Sequence, residues 1–395
     1  MELKPGYKQT EVGVIPEDWD VIPIGQAGEV LGGRQRSPHA IGEPTKYLRV
    51  ANVFDGFIAI DDVLEMPFTK PERQRFSLKS GDILLNEGQS LELVGRSATY
   101  RGEPHNCCFQ NTLVRFRAFP GTDTSFAQTV FQSYLRRGIF AAIALQTTSI
   151  AHLGAGRFAA LKIPRPPLPE QRAIAEALND ANALIESLEQ LITKKRFLKQ
   201  GAMQDLLTCK KRLPGFNGDW EVKRLEEIAH IKTGSRNNED KIDDGVYPFF
   251  VRSQNVERIN TYSHECEAIL VPGEGNIGNI FHYINGRFDV HQRVYAITQF
   301  SQETSGKYVY FYMAKNFGSH AMQNSVKATV DSLRLPTFQN FEIAMPPTYD
   351  EQTAIATVLS DMDAEIADLE SQLAKTRGIK QGMMHKLLTG EIRLR

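Results

Sequence analysis

The segments LKQGAMQDLLTCKKRL (Leu198–Leu213) and IKQGMMHKLLTGEIRL (Ile379–Leu394) are two copies of one sequence motif. The copying extends upstream, because Glu170–Leu213 aligns with Glu351–Leu394 without a gap and about half of the aligned positions are identical. Each copy follows a block of dissimilar sequence. The chain therefore has an internal duplication with the order variable block, repeat, variable block, repeat.

A second pair of anchors shows that the variable blocks are related as well. Asp18-Trp19 and Asp219-Trp220 open the two blocks, followed by Gly33 in the first and Gly234 in the second. Residues 19 and 220 are 201 positions apart, whereas residues 170 and 351 are 181 apart, so the first block is 20 residues longer. We expect two domains of one family that differ in their loops.

Composition sets limits on function. The 395 residues are 41% hydrophobic and 24% charged, as in globular proteins that bury two cores. The net charge is −1, so a surface for nucleic acid would have to be local. No run of eighteen apolar residues or signal-peptide core occurs, which favours a cytoplasmic protein without membrane association. The four cysteines lack C-x-x-C spacing, which argues against a disulfide framework or a zinc site.

Both repeats predict long helices. Each opens with a proline cluster and then acidic residues, as helix starts do. Apolar residues follow at alternating steps of four and three, the spacing of a coiled-coil seam. The seam residues are Ile174, Leu178, Ala181, Ile185, Leu188 and Ile192, and in the second copy Ile355, Leu359, Met362, Ile366, Leu369 and Leu373. Ordinary core packing is the alternative, but two matched helices of nearly forty residues favour a spacer.

The variable blocks read as strands with some helix. KYLRVANVFDGFIAI predicts two strands around Asp55-Gly56, and GDILLNEG a turn and a strand. The segment from Glu267 to Ile297 predicts three strands, with a type I′ turn at Asn285-Gly286. Helical patterns follow at a matching place in both blocks. The predicted fold is α+β, with two similar globular domains held apart by two long antiparallel α-helices that form a coiled-coil spacer.

Several of these motifs resemble one family. The proline-Glu-Gln helix start, the helix end from Leu191 to Leu213, the LPGFNGDWEV entry to the second block and the DVHQRVYAI segment are similar to the specificity subunit of type I restriction-modification enzymes. The resemblance covers the whole chain. It implies target-recognition domains at residues 1–165 and 214–345, each reading half of a bipartite double-stranded DNA site. The helical regions at 166–213 and 346–395 would set the gap and dock two methyltransferase subunits.

The resemblance also implies a chain without catalysis of its own. S-adenosylmethionine would be bound by the methyltransferase subunits, and ATP and Mg²⁺ by partner subunits that translocate and cut DNA in phage defence. No cofactor or metal ion is expected on this chain. In agreement, the sequence has no G-x-x-x-x-G-K-[ST], no H-E-x-x-H and no G-x-S-x-G. Neither Pro-Pro pair follows the Asn or Asp found in adenine methyltransferases.

Candidate DNA contacts are polar residues at predicted loops and strand ends, since Arg reads guanine, Asn and Gln read adenine, and basic groups hold phosphates. In the first block they are Arg34, Arg36, Arg49, Asn52, Gln89, Arg96, Gln110 and Asn111. In the second they are Arg236, Arg252, Ser253, Gln254, Asn255, His291, Gln292, Arg293 and Lys327. Arg252, Gln254, Gln292 and Arg293 are favoured, because adjacent polar side chains fit poorly in the apolar strands around them.

Two other functions stay open from the sequence. A stand-alone DNA-binding regulator could use the same domains, and it would bind specifically without a methyltransferase. A nuclease could lie within a variable block, and the purified chain would then cut DNA with a metal ion. Neither alternative accounts for the duplicated helices. The target sequence cannot be read from the chain, because recognition loops follow no code of one residue for one base.

Overall fold

The computed structural model describes residues 4–37, 39–147, 149–324 and 332–394. The chain forms two compact units. Unit 1 comprises Met1–Ser187 and Leu373–Arg395, and unit 2 comprises Leu188–Gln372. Each unit combines β-sheet with helices, which confirms the α+β class.

Unit 1 contains many short strands, five shorter helices, the first part of one long helix and the last part of another. Its strands are β1 (Tyr7–Thr10), β2 (Gly13–Pro16), β3 (Asp20–Pro23), β4 (Gly28–Gly32), β5 (Glu43–Leu48), β6 (Leu64–Phe68), β7 (Ile83–Asn86), β8 (Gly88–Gln89), β9 (Ser97–Thr99), β10 (Cys108–Phe109), β11 (Leu113–Ala118), β12 (Leu145–Gln146), β13 (Ala151–His152) and β14 (Lys162–Arg165). Its helices are α1 (Ile24–Ala27), α2 (Lys70–Phe76), α3 (Thr124–Arg136), α4 (Ile139–Ile143), α5 (Ala155–Ala160), the start of α6 (Leu168–Leu206) and the end of α10 (Tyr349–Leu388).

Unit 2 has fewer and longer strands. They are β15 (Glu221–Arg224), β16 (His230–Thr233), β17 (Tyr247–Phe250), β18 (Glu257–Ile259), β19 (His264–Pro272), β20 (His282–Val290), β21 (Val294–Thr298) and β22 (Glu342–Met345). Its helices are α7 (Leu225–Ile228), α8 (Gly306–Gln323), α9 (Leu335–Gln339), the end of α6 and the start of α10 (Tyr349–Leu388).

The two units share one topology. In unit 2 a single sheet has the order β16-β21-β19-β20-β17-β18, and the long strand β20 pairs antiparallel with β19 and parallel with β17. In unit 1 the corresponding strands form two sheets, β4-β11-β7-β9 and β10-β5-β6. Strand β9 pairs antiparallel with β7 as β20 does with β19, and β10 pairs parallel with β5 as β20 does with β17. Helix α2 has no counterpart between β18 and β19. The predicted likeness of the two blocks is confirmed at the level of strand order.

The prediction of long helices is confirmed, since α6 has 39 residues and α10 has 40. Within unit 1, Ile174 and Leu178 of α6 share a core with Leu387 and Met384 of α10. In unit 1 the start of α6 therefore packs with the end of α10, as an antiparallel pair of helices requires.

In unit 2 the end of α6 lies against the start of α10. Ion pairs join Lys195 to Glu365 and Lys199 to Asp363. Nine of the twelve predicted seam residues are buried, while Ala181 and Ile185 of α6 and Met362 of α10 are half-exposed. The fully buried ones are Ile174, Leu178, Leu188 and Ile192 on α6, and Ile355, Leu359, Ile366, Leu369 and Leu373 on α10. Each buried Leu or Ile contributes about 1.5–3 kcal/mol.

The end of one repeat binds the start of the other within each unit. In unit 1 the Arg393 guanidinium donates to both oxygens of Glu170 at 2.6 and 2.8 Å. In unit 2 the Arg212 guanidinium donates to both oxygens of Glu351 at 2.8 and 2.7 Å. Both carboxylates are buried. We call each arrangement a latch, and the duplicated Glu and Arg are its two halves.

The glutamine beside each latch glutamate has an equally repeated role. The Gln171 amide accepts from the Asp123 backbone N–H at the start of α3 and donates to the Pro166 carbonyl. The Gln352 amide accepts from the Ser305 backbone N–H at the start of α8 and donates to the Pro346 carbonyl. Each glutamine thereby joins a long helix to the helix that follows the sheet, which explains why the Glu-Gln pair occurs in both copies.

Two predictions for the strands are wrong. Asn285-Gly286 is not a turn but lies inside β20, where Asn285 pairs with Glu267 and Gly286 with Cys266. The pairing of β19 with β20 along their length outweighs the local preference of Asn-Gly for a turn. In the first block, the segment after β5 forms a short 3-10 helix and a single bridge from Val53 to Ile58 rather than a second strand.

Candidate nucleic-acid interface

In both units, two loops approach each other closely at the same edge of the sheet. The Gly33 N–H donates to the Leu113 carbonyl, and the Gly234 N–H donates to the Val294 carbonyl. A Cβ on Gly33 would lie 2.1 Å from the Gln110 carbonyl oxygen, and one on Gly234 would lie 2.0 Å from the Val290 oxygen. Only glycine fits such a contact. The paired Gly33 and Gly234 of the sequence are thus explained.

The loops at this edge correspond position by position. A parallel β-bridge of the backbone joins Arg34 to Gln110 in unit 1, and another joins Arg236 to His291 in unit 2. The Gln110 N–H donates to the Leu48 carbonyl and the His291 N–H to the Phe250 carbonyl. The predicted residues after β5 and before β11 in unit 1 are therefore equivalent to those after β17 and before β21 in unit 2. We call the edge that carries Arg34 and Gln110 in unit 1, and Arg236 and His291 in unit 2, the interface of that unit.

Three of the predicted residues of unit 1 are engaged within the protein. Arg34 pairs with Glu72 at 2.8 Å and its side chain is 10% exposed. Arg49 pairs with Asp62. The Asn52 side chain is buried, accepts from the Arg49 N–H and donates to the carbonyls of Ala59 and Asp62. These contacts hold the loop after β5, and a DNA contact by these three side chains stays a prediction.

The other predicted residues of unit 1 lie nearer the surface. Arg36 and Asn111 are exposed, and Gln89 and Gln110 are half-buried. Arg96 stacks over the Phe54 ring at 4.7 Å, and burial lowers the pKa of its guanidinium. Arg36 and Asn111 are therefore the most accessible base-reading side chains among these predicted residues.

In unit 2 a buried carboxylate fixes the first interface loop. Asp289 accepts from Arg236 at 3.1 Å and from the hydroxyls of Thr261 and Ser263 at 2.8 Å. Burial opposes ionisation of Asp289, but these hydrogen bonds outweigh it and lower the pKa of the carboxyl. Arg236 is therefore held beside the sheet, as Arg34 is in unit 1.

The arginines favoured by the sequence lie together in unit 2. Arg252 and Arg293 both pair with Glu274, at 3.1 and 3.3 Å. His291 is buried, and its Nδ1 accepts from the Arg293 backbone N–H at 3.0 Å. Burial and then the nearby charges of Arg252 and Arg293 lower the pKa of His291. The neutral imidazole thereby supports the backbone of Arg293.

The remaining predicted residues of unit 2 surround this cluster. The Gln292 side chain donates to the Asn237 side chain. Ser253 accepts from the Asn255 N–H and so closes a turn that carries the exposed Gln254. Lys327 lies outside the described residues. The sequence did not indicate the carboxylates that hold the predicted arginines, because residue type and spacing give no sign of ion pairs between distant positions. They are Glu274, Glu72, Asp62 and Asp289.

A match to a protein-family model identifies the family of the chain. Residues 16–194 and 217–376 match the model of the type I restriction modification DNA specificity domain. The chain belongs to this family. The two matched ranges contain both interfaces and most of both long helices.

Individual members of the specificity family resemble the chain along its length. It is 24% identical to the putative type I restriction enzyme MjaX specificity subunit of Methanocaldococcus jannaschii, over 98% of this chain and 97% of that one. It is 27% identical to the type I restriction enzyme EcoDI specificity subunit of Escherichia coli, over 43% of this chain and 37% of that one.

Solved specificity-family structures share the fold. The type I restriction-modification S subunit of M. genitalium superimposes with a TM-score of 0.65 at 16% identity and covers 98% of both chains. A chain from a study of complex assembly and conformational transition of the type I system gives a TM-score of 0.57 at 16% identity, over 96% of this chain and 99% of that one.

Two further observations concern the described residues only. None of their helices is long and apolar enough to cross a membrane. Among the same residues, no three histidine, cysteine, aspartate or glutamate side chains come together as a metal site requires.

Proposed function

We propose that the chain is the DNA-recognition subunit of a type I restriction-modification complex, with each interface reading one half of a bipartite site. The observation that carries this is a single framework built twice, in units 1 and 2, with different side chains at equivalent interface positions. Two such surfaces suit two different half-sites. Membership of the specificity family supports a role in recognition rather than in catalysis.

We propose that the chemistry belongs to partner subunits. The chain would bind two methyltransferase subunits, which use S-adenosylmethionine, and restriction subunits, which use ATP and Mg²⁺ to translocate and cut DNA in the cytoplasm. The relatives named as specificity subunits of restriction enzymes and the solved chain from a study of complex assembly support these partners. The chain itself would need no cofactor.

We further propose that α6 and α10 set the gap between the half-sites. Seven residues added to both helices would keep the 4-3 register and lengthen each by about 10 Å. The preferred gap would then grow by about three base pairs, since base pairs are about 3.4 Å apart. A matched insertion of about four residues tests a smaller change in helical phase. Half-sites that keep their spacing in every active variant would contradict this role.

The experiment that tests the function is to map DNA methylation in cells that express the chain with its methyltransferase partner. We expect methylation at a bipartite motif, and loss of it when the chain is omitted. A contiguous motif would argue against two half-sites. Specific binding by the chain alone at full affinity would favour the stand-alone regulator, and metal-dependent cutting by the purified chain would favour the nuclease.

A further inference from the structure

Glu274 of unit 2 holds two arginines that come from different loops. Its Oε2 pairs with Arg252 Nη1 at 3.1 Å, and its Oε1 pairs with Arg293 Nη1 at 3.3 Å. The arginine side chains are 50% and 59% exposed, whereas that of Glu274 is 24% exposed. The carboxylate is thus partly covered beneath two guanidinium groups that face outward.

Each arginine keeps two parallel N–H groups that can donate to a base. A guanidinium has five N–H groups in a rigid fork, and an ion pair through Nη1 leaves the edge formed by Nε and Nη2. In the described part of the chain, that edge has no hydrogen-bond partner in either arginine. Two parallel N–H groups match the O6 and N7 acceptors that guanine presents in the major groove.

The backbone of Arg293 is fixed as well. Its N–H donates to Nδ1 of the buried His291, and its carbonyl accepts from the Gly273 N–H at 2.9 Å. Gly273 directly precedes Glu274, so the loops that carry Arg293 and the carboxylate are joined through the main chain. A guanidinium held at both its backbone and its Nη1 loses less conformational freedom when it binds a base.

The equivalent place in unit 1 has different chemistry. Val50 and Thr112 stand where unit 2 has Arg252 and Arg293, and the Val50 N–H donates to the Thr112 hydroxyl at 3.1 Å. Gly88 stands where unit 2 has Glu274, as the matching main-chain bonds of Leu153 to Glu87 and of Leu333 to Gly273 show. The cluster of two arginines and a glutamate is therefore specific to unit 2.

We propose that Arg252 and Arg293 read two guanines in adjacent base pairs of the half-site bound by unit 2, with Glu274 as the positioning residue. The proposal rests on the proposed function, because it names the bases that one interface reads. Two guanidinium groups that share one carboxylate are close enough to serve neighbouring base pairs, which are about 3.4 Å apart. Unit 1 lacks this pair, so its half-site is read through other groups.

The test begins with selection from duplexes of random sequence by the full chain assembled with its methyltransferase subunits. We expect a bipartite consensus in which one half contains two adjacent guanines, on the same or opposite strands. Arg252→Ala should relax one of these positions and Arg293→Ala the other, with discrimination falling about 5- to 150-fold at each. Arg287→Ala is the matched control, because Arg287 is an exposed arginine of unit 2 paired with Glu265.

Replacing one selected guanine at a time by 7-deazaguanine identifies the contact, because this base lacks only the N7 acceptor. The wild-type complex should lose affinity on the modified duplex, and the alanine variant of the arginine that reads that guanine should not. A loss that is the same in wild type and variant means that the arginine does not contact the base. A uniform loss across all sequences, with a weaker salt dependence, means that it holds a phosphate. Either result overturns the proposal.

Glu274→Gln separates positioning from simple support of the fold. We expect poorer discrimination at both guanines together with tighter binding to unrelated DNA, since a negative charge has been removed beside the arginines. Unchanged discrimination would overturn the positioning role. If the wild-type selection returns no consensus, the proposed function itself fails, whereas a consensus that does not depend on the arginines refutes only this inference.

Discussion

The two latches and the two interfaces differ in how much the units share. Arg393 with Glu170 and Arg212 with Glu351 repeat the same ion pair in units 1 and 2. At the interfaces, a valine and a threonine of unit 1 occupy the places of Arg252 and Arg293. Duplication has kept the groups that hold a unit together and changed those that face outward. We therefore expect stability and DNA recognition to depend on different residues, which mutations can distinguish.

The latches themselves are not identical. In unit 1 the Trp19 indole N–H donates to Glu170 at 3.0 Å, and Arg393 also pairs with Asp18. In unit 2 Arg212 instead donates to the carbonyls of Asn217 and Gly218. The Trp220 indole N–H has no hydrogen-bond partner within the described residues. The carboxylate of unit 1 thus has two kinds of donor, and that of unit 2 depends on one arginine.

The largest expected effect is the loss of a latch arginine. Arg212→Ala leaves the buried Glu351 carboxylate without its ion pair and should lower the free energy of unfolding of unit 2 by about 3–5 kcal/mol. Arg393→Ala should cost unit 1 less, because Trp19 still donates to Glu170. Urea titration followed by tryptophan fluorescence measures both, since the only tryptophans are Trp19 and Trp220, one in each unit.

Each arginine variant is placed in a background with a single tryptophan. Trp19→Phe leaves Trp220 to report on unit 2, and Trp220→Phe leaves Trp19 to report on unit 1. Arg196→Ala is the control, because its pair with Glu370 is exposed and should contribute less than about 1 kcal/mol. Equal losses for Arg212→Ala and Arg393→Ala would show that the indole N–H adds nothing to the first latch.

The tryptophans sharpen the same comparison. Trp19→Phe removes a hydrogen bond to a buried carboxylate and should cost unit 1 about 1.5–3 kcal/mol, in addition to the loss of ring volume. Trp220→Phe removes no such bond and should cost unit 2 clearly less. Hydrogen exchange read by mass spectrometry over peptides of each unit measures the two. A larger effect for Trp220→Phe would contradict the asymmetry of the latches.

Acid should weaken the first latch through Glu170. Burial opposes ionisation of this carboxyl, but hydrogen bonds from Arg393 and Trp19 outweigh it, so its pKa in the folded protein is below the ordinary value of 4.5. The unfolded chain then binds a proton that the folded one does not, and stability rises with pH. The stabilisation is present above pH 4.5 and is lost as pH falls through the folded pKa.

Glu170→Gln tests this pH dependence. The variant should be less stable than the wild type at neutral pH, and the stability of its unit 1 should vary less with pH below 4.5, by at most about 1.4 kcal/mol per pH unit. Urea titrations at several pH values in the Trp220→Phe background provide the curves. Parallel curves for wild type and variant would show that Glu170 does not titrate with the latch.

The smallest effect on stability is expected at the interface of unit 2. Glu274→Gln removes two partly exposed ion pairs and should change the free energy of unfolding by less than about 1 kcal/mol. The same urea titration in the Trp19→Phe background measures it. A loss as large as that of Arg212→Ala would mean that the arginine cluster supports the fold.

Sequence reasoning predicted the helices well because their signals are local and repeated. Apolar steps of four and three, the proline clusters and the acidic starts each act within a few turns, and α6 and α10 begin within two residues of Glu170 and Glu351. The turn predicted at Asn285-Gly286 is wrong because both residues pair with β19, and their local sequence does not show this pairing. Local preference cannot report which strand will lie alongside.

The places of the polar loops could be predicted from the sequence, but the contacts within them could not, and their contact with DNA stays a prediction. Polar residues at matching places predicted the two loop clusters, and the structure brings Arg252, His291 and Arg293 together. Their shared carboxylate, Glu274, lies in a glycine-rich loop whose sequence gives no sign of an arginine partner. Arg34 with Glu72 likewise joins residues far apart in the chain. Such pairs depend on tertiary contacts, which residue type and spacing do not reveal.

The latch of unit 1 has a consequence for synthesis on the ribosome. Unit 2 is one continuous stretch, Leu188–Gln372, so all of its parts have been translated before Arg393 exists. Unit 1 needs Leu373–Arg395 to pair with Glu170 and to fill its core with Met384 and Leu387. The part of the nascent chain that emerges first is therefore the last to be completed. Until then, apolar groups that share this core with α10, including Ile174 and Leu178, lack part of their packing.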